Sequence, residues 1–228
     1  MKGKRGQVVA LVSGGLDSAV LLADLLGRGW DVTALSCDYG ARHNRRELAC
    51  AARLCRSAGV PQVVIRLAFV GRLFRSHLLK GGGPLPPAAY DAATLRQTVV
   101  PFRNGILLAV AAGLAESSGA RRVAIAVHGG AHPLYPDCRE AFLRHFGEAT
   151  RLGTYARVRL LRPYARRSKA DIVKLGARLK VDFAGTWSCY AGGRFHCGLC
   201  GTCRERRDAF RRAGVPDPTR YLAAAPDS

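Results

Sequence analysis

Two groups of residues have the types and spacing to do chemistry. The first is Ser13-Gly14-Gly15-Leu16-Asp17-Ser18. Paired glycines let backbone N–H groups approach an anion with no side chain in the way. A helix starting just after them adds free N–H donors and a partial positive charge, which suit phosphate. Ser13 and Ser18 add hydroxyl donors; Asp17 repels phosphate, and so caps the helix or works through a metal ion. The stretch is neither G-x-x-x-x-G-K-[ST] nor G-x-G-x-x-G, and an ordinary turn with a Ser or Asp cap is the plain alternative. The second group is Cys189, Cys197, Cys200 and Cys203, spaced C-x7-C-x2-C-x2-C among glycines. Zn²⁺ takes four thiolates tetrahedrally, and a closed four-thiolate shell leaves no open position, so such a site is structural. An iron–sulfur cluster is the competing reading, and His196 is a less direct ligand than its neighbour Cys197.

The flanking sequence says what positions these groups. Val8 to Val12 is an apolar run that reads as a buried strand, and Ala19 to Leu26 reads as a helix, so the glycines sit at a strand-to-helix turn. Further strands are expected at Val32–Cys37, Gln62–Leu67, Arg122–Val127 and Val158–Leu161. Helices are expected at Arg45–Arg56, Gly105–Ser117 and Glu140–Ala149, and from Ser168, capped by Asp171, to about Leu179. This alternation predicts an α/β fold with a doubly wound, mostly parallel sheet, whose ligands lie beyond the carboxyl ends of the strands. A domain over 1–184 and a small C-terminal zinc-binding subdomain over 185–228 follow, with 70–98 as a lid or flexible insertion around Gly81-Gly82-Gly83-Pro84. Arg103 and Asn104 open one helix, and His128 and His132 stand four apart in a Gly/Pro loop, where loop hydrogen bonding outweighs metal ligation.

Composition narrows the class. The 228 residues carry a formal net charge of +20, with 30 Arg against six Lys. Such a field attracts nucleotides, nucleic acid or acidic proteins. No basic block with interleaved aromatics marks a nucleic-acid groove, and the run Arg204, Arg206, Arg207, Arg211 and Arg212 reads as a solvated helix surface. Ile106 to Ala115 is too short an apolar run to span a bilayer, and Val8 to Val12 is too short for a secretory signal. A cytoplasmic protein with no membrane partner is expected.

The chain resembles the 7-cyano-7-deazaguanine synthase family of the ATP pyrophosphatase (PP-loop) superfamily. The resemblance rests on Ser13–Ser18, Asp38-Tyr39-Gly40 with Arg42-His43, Val100-Pro101 with Arg103-Asn104, and Tyr135-Pro136-Asp137-Cys138-Arg139. It continues through Ser168-Lys169-Ala170, Trp187-Ser188-Cys189-Tyr190, the clustered cysteines and Asp217-Pro218. It implies an adenine-nucleotide alpha-hydrolase-like fold and a C–N bond-forming ligase of queuosine biosynthesis. ATP activates 7-carboxy-7-deazaguanine as an adenylate, free ammonia displaces AMP to give the amide, and a second activation permits dehydration to the nitrile. It also implies that Ala10-Leu11-Val12-Ser13-Gly14-Gly15-Leu16-Asp17-Ser18-Ala19-Val20 binds ATP, with Mg²⁺ on the phosphates. Catalytic roles fall to Asp17, Ser18, Arg103 and Asp137, substrate contacts to Arg42, His43, Asn104 and Arg139, and one structural zinc to the four cysteines. A homodimer without a specific nucleic-acid partner is expected. Ala41 stands where the family usually has Gln, and Ala131 where it usually has Asp. A relative that stops at the amide or uses another acceptor, or a tRNA-modifying PP-loop enzyme, is the alternative.

Overall fold

The computed structural model describes residues 5–86, 96–129 and 135–223. Ala131, His132 and the end of the expected lid, 87–95, lie outside the described residues. Five strands, β1 (Gln7–Leu11), β2 (Asp31–Asp38), β3 (Gln62–Arg66), β4 (Arg122–Ala124) and β5 (Arg159–Leu161), form one sheet. Their order is β3-β2-β1-β4-β5, and every pair is parallel. Among the described residues, the α-helices fully defined are α1 (Leu16–Gly27), α2 (Asn44–Ala58), α3 (Ala68–Leu73), α4 (Arg103–Ser117), α5 (Glu140–Leu152), α6 (Lys169–Arg178) and α7 (Gly201–Ala213).

β1 explains why its sequence is apolar at every position rather than at alternate ones. Successive side chains of a strand point to opposite faces, and here both faces are covered. Val9 and Leu11 pack with Leu108 and Ala111 of α4 and Leu143 of α5. Val8 and Ala10 pack with Leu21 of α1, Ala51 of α2, Ile172 of α6 and Phe210 of α7. The chain winds outward through β2 and β3, then crosses back to β4 on the other side of β1. The switch point between β1 and β4, at their carboxyl ends, is where such folds hold ligands.

The expected helices are present with modest changes of boundary, and the expected box at α6 is complete. Ser168 Oγ accepts the Asp171 N–H at 3.2 Å, and Asp171 Oδ2 accepts the Ser168 N–H at 3.1 Å. Residues 70–86 are folded onto the core: Leu78 and Leu79 are buried, and Leu79 bridges to Ala41. Arg96–Ser117 has the length and mean hydropathy, 1.5, of a membrane-crossing segment. Phe102 at φ 52° divides it, however, and α4 packs against β1 and β4.

The reading of the late arginines as solvated surface is corrected. Arg206 is 0% exposed. Its guanidinium donates to Thr186 Oγ1 at 2.8 Å, Ser188 Oγ at 3.1 Å and the Phe183 carbonyl at 2.9 Å, and meets Asp217 Oδ1 at 3.3 Å. Burial alone would raise the Asp217 carboxyl, but the Tyr221 hydroxyl and Arg206 hold it below the usual range. Arg206 thus clamps α7, the segment before Cys189 and the C-terminal strap together. Arg211 and Arg212 are exposed as expected, paired with Asp208. Removing one partner of a buried pair strands the other, so Arg206→Ala is expected to lower stability by roughly 3–5 kcal/mol. An unchanged urea midpoint would show that the clamp is dispensable.

Candidate functional site

A cavity of about 290 Å³ lies at the switch point, walled by the ends of β1, β2 and β4, the starts of α1 and α4, α2, and the segment around the cysteines. Its floor is the loop between β1 and α1. Gly14 adopts φ +90°, and a Cβ there would lie 2.1 Å from the Glu47 carbonyl oxygen and 2.7 Å from the Ala51 nitrogen. The loop therefore rests directly on the backbone of α2, and glycine is required twice over, for conformation and for space. No side chain caps α1, whose N-cap is Gly15, so first-turn N–H groups stay free for an anion. Ser18 Oγ donates to the Gly15 carbonyl at 3.0 Å and accepts the Gly14 N–H at 3.2 Å, and Ser13 Oγ lies 3.2 Å from it.

Beside the loop, Lys169 Nζ stands 3.5 Å from Asp17 Oδ2 and 2.7 Å from Glu205 Oε2. Glu205 Oε1 is 3.6 Å from His128 Nε2. Two ion pairs of one ammonium group, and the approach of His128 to Glu205, thus tie α1, α6, α7 and the segment after β4 together. Asp17 Oδ1 is buried without a hydrogen-bond partner, an acceptor suited to a cation.

The opposite wall carries Tyr39, His43, Glu47, Arg103 and Tyr190. Arg103 donates to the Tyr39 hydroxyl at 3.4 Å and lies over its ring. Burial pushes the Tyr39 hydroxyl up to about 12. Burial and the nearby Arg103 guanidinium push His43 down to about 4. Burial pushes Glu47 up to about 8, against the opposing pull of Arg103. His43 Nε2 and Glu47 Oε2 are 3.7 Å apart, too long for a hydrogen bond. The raised Glu47 and the lowered His43 both favour their uncharged forms, so this approach is not an ion pair. The start of α4 is fixed from outside: Asp137 Oδ2 accepts the Asn104 N–H at 2.8 Å, and Asn104 Nδ2 donates to Cys138 Sγ at 3.2 Å.

The four cysteines converge, with all Sγ atoms within 4.8 Å of one another. Three pairs lie at 3.5, 3.9 and 4.0 Å. Tetrahedral Zn–S bonds of about 2.3 Å require S···S separations of about 3.8 Å, so the set fits a zinc ion. Backbone N–H groups of Leu199 and Cys200 donate to Cys197 Sγ at 3.4 and 3.3 Å, as thiolate ligands require. His196 is not among the ligands. Its Nε2 accepts the Ser188 N–H at 3.1 Å, its ring stacks on Trp187, and burial pushes it down to about 4. The metal loop also forms part of the cavity, since Trp187, Ser188, Tyr190, Thr202 and Glu205 line it.

Of the residues expected from sequence, Leu11, Val12, Ser13, Gly15, Leu16, Asp17, Ser18, His43, Arg103 and Asn104 line this cavity. Ala10, Ala19 and Val20 are packed in the core instead, and Gly14 points its carbonyl at the Trp187 N–H, 2.9 Å away. Arg42 does not reach the wall, because its guanidinium is turned onto the Gly83 carbonyl. Arg139 is exposed at the start of α5, and Asp137 stands behind Asn104 rather than on the wall. The sequence reading gave no role to Lys169, Glu47, Tyr39, Tyr190 or Glu205. Lys169 and both tyrosines stand inside the motifs already noted, and Glu47 follows His43 by one helical turn, a spacing that puts both on one face.

Two outcomes follow. Cys200→Ser is expected to lose one bound zinc and much of its stability together, since a structural ion contributes folding free energy directly; elemental analysis with thermal melting checks this. For Glu47, the unfolded state deprotonates near pH 4.5 and the folded state near 8, so folding stability falls as pH rises between these values. The slope approaches 1.4 kcal/mol per pH unit, taken as an order of magnitude. Glu47→Gln removes that loss, so the substituted protein gains on the natural one from pH 5 to pH 8. A gap that does not widen would contradict a neutral Glu47.

Known proteins are similar to this chain along almost its whole length. The family model described as "Queuosine biosynthesis protein QueC" matches residues 7–214. A protein of Porphyromonas gingivalis named 7-cyano-7-deazaguanine synthase is 52% identical over 211 residues, covering 92% of this chain and 95% of its own length. A protein of the same name from Desulfotalea psychrophila is 48% identical over 214 residues, covering 94% and 98%. In fold the chain is similar to NMN synthetase from Francisella tularensis, with a TM-score of 0.51, 16% identity, and coverage of 93% of this chain and 79% of that one. With the loop, the cavity and the four-thiolate cluster in the matched span, the chain belongs to the QueC family of queuosine biosynthesis proteins.

Proposed function

We propose that the protein is a 7-cyano-7-deazaguanine synthase, converting 7-carboxy-7-deazaguanine, ATP and ammonia into the nitrile. The observation that carries this reading is a cavity with two separate anion seats on its wall: the uncapped start of α1, and the Arg103 guanidinium, with which no carboxylate pairs among the described residues. The first suits the phosphates of ATP and the second a substrate carboxylate. Their joint presence fits a reaction that must bring a carboxylate oxygen to the α-phosphorus.

In this reading the carboxylate attacks ATP, forming an acyl-adenylate and releasing pyrophosphate. Ammonia from solution attacks the acyl carbon, AMP leaves, and the amide forms. The amide oxygen then attacks the α-phosphorus of a second ATP, releasing a second pyrophosphate and one amide proton, and loss of AMP with the remaining amide proton leaves the nitrile. Donors fixed where charge develops contribute most to such a barrier: the α1 N–H groups and the Ser13 hydroxyl serve the phosphates, Ser18 holds the loop that presents them, and Lys169 serves the departing pyrophosphate. Asp17 Oδ1 fits as a ligand for Mg²⁺, which supplies charge neutralisation when bound. Zinc at Cys189, Cys197, Cys200 and Cys203 is structural and holds the wall bearing Trp187 and Tyr190. Asp137 acts as a positioning residue for the start of α4. The homodimer, the cytoplasmic location and the lack of a nucleic-acid partner belong to the same proposal.

The test is incubation with the acid, ATP and ammonium, read by mass. Nitrile with two AMP per turnover is expected. Amide without nitrile would favour an enzyme that stops one step earlier, and no AMP would overturn the reading. Lys169→Met is expected to lower kcat/KM by about 100-fold or more.

A further inference from the structure

Among the described residues, three carboxyl groups line the cavity: Asp17, Glu47 and Glu205. Asp17 and Glu205 are both engaged by Lys169. Glu47 forms no ion pair with a cation, although the Arg103 charge acts on it through space. Its side chain keeps 17% exposure, and its nearest charged-type neighbour is the uncharged His43 imidazole at 3.7 Å. The established steps of activation and amination give Glu47 no task, yet holding it in this site destabilises the free protein. Arg103 is the complementary case, a cavity cation hydrogen-bonded to a hydroxyl and in direct ion-pair contact with no carboxylate among the described residues, with Asp137 and Glu47 acting on it only through space. The two stand on different elements, α2 and α4, without pairing. His43 adds a buried Nδ1 with no hydrogen-bond partner. The Tyr39 and Tyr190 rings supply flat apolar surface on the same wall.

A flat bicyclic heteroaromatic acid makes matching demands. Its carboxylate, on the five-membered ring, needs a cation. Its aminopyrimidinone edge, on the six-membered ring, presents a ring N–H and an exocyclic amine side by side, and two parallel donors match the two oxygens of one carboxylate. We propose that Glu47 reads the base of the substrate, accepting the ring N–H and the exocyclic amine while Arg103 receives the carboxylate at the other end; this rests on the synthase reading above. Binding releases the proton that Glu47 holds in the free enzyme to solvent, so the charged carboxylate exists only when two donors compensate it. A ligand lacking the exocyclic amine leaves one oxygen desolvated and unpaired, which is the origin of selectivity at such sites.

Calorimetric titration of the full-length, zinc-loaded protein tests this, with 7-carboxy-7-deazaguanine and with its analogue lacking the 2-amino group, alongside steady-state KM for ATP and ammonia. Glu47→Gln keeps the side-chain volume and replaces one acceptor by a donor. It is expected to weaken binding of the amino compound by about 30-fold or more. It should change binding of the analogue by less than about threefold and leave both KM values in place. Natural protein that binds both compounds equally, or a Glu47→Gln protein with unchanged affinity for the acid, would overturn the assignment. So would a shift confined to the KM for ammonia, which would make Glu47 a base for the amine instead. Natural protein that neither binds nor converts the acid would sink the synthase reading and Glu47's role with it. Normal turnover together with an indifferent Glu47→Gln protein would sink Glu47's role alone.

Discussion

The absence of a side chain at Gly14 is the constraint on which the rest of the site depends. The loop after β1 touches the backbone of α2 so closely that a Cβ would sit 2.1 Å from a carbonyl oxygen. That contact decides which face of α2 meets the cavity, and therefore places His43 and Glu47 beside the loop. The Gly14 carbonyl in turn accepts the Trp187 N–H, which draws the segment leading into the cysteine cluster against the same point. Three parts of the chain, distant in sequence, meet at one residue without a side chain. The start of α1 is left open as a result, because the groups that would otherwise cap it are engaged in holding the loop.

The cysteine cluster and Arg206 hold the other half of the cavity. Neither touches the anion seats. The four cysteines bring together a short glycine-rich loop in an arrangement that could hold a metal ion, and Arg206 binds the segment leading into it to α7 through hydroxyls and a carbonyl. Because α7 packs on α6, and α6 begins with Lys169, the metal loop and the phosphate end of the cavity are parts of one rigid arrangement. A buried guanidinium is tolerated there because all three of its nitrogens find acceptors and Asp217 supplies the counter-charge.

Much of this was legible in the sequence, for identifiable reasons. The β1 run, the glycine pair and the Ser168–Asp171 box are local signals, set by neighbours within a few residues, and each forms as read. The cysteine spacing was legible because ligand chemistry demands both residue type and proximity. What the sequence misread at Arg206, left unread at Glu47 or could not place at Arg42 depends on long-range geometry. Arg206 looks like its exposed neighbours Arg204 and Arg211 in any window of sequence, and its burial follows from Phe183, Thr186 and Asp217, none of which is near it in the chain. Glu47 resembles a surface helix residue until β1's loop covers its turn of α2. Arg42 carries the charge expected of a substrate contact, but the fold of residues 70–86 offers its guanidinium the Gly83 carbonyl instead.

The bond from the Trp187 N–H to the Gly14 carbonyl joins the two ends of the chain. Contacts of such sequence separation form late, because their loop-closure entropy must be met before they contribute. During synthesis the nucleotide loop emerges first, yet the wall that faces it is encoded almost a whole chain later. A ribosome-bound fragment can fold β1 to β3 with their helices while the cavity stays open on one side. The face of the cavity that Trp187 and Tyr190 supply is therefore closed only late in assembly.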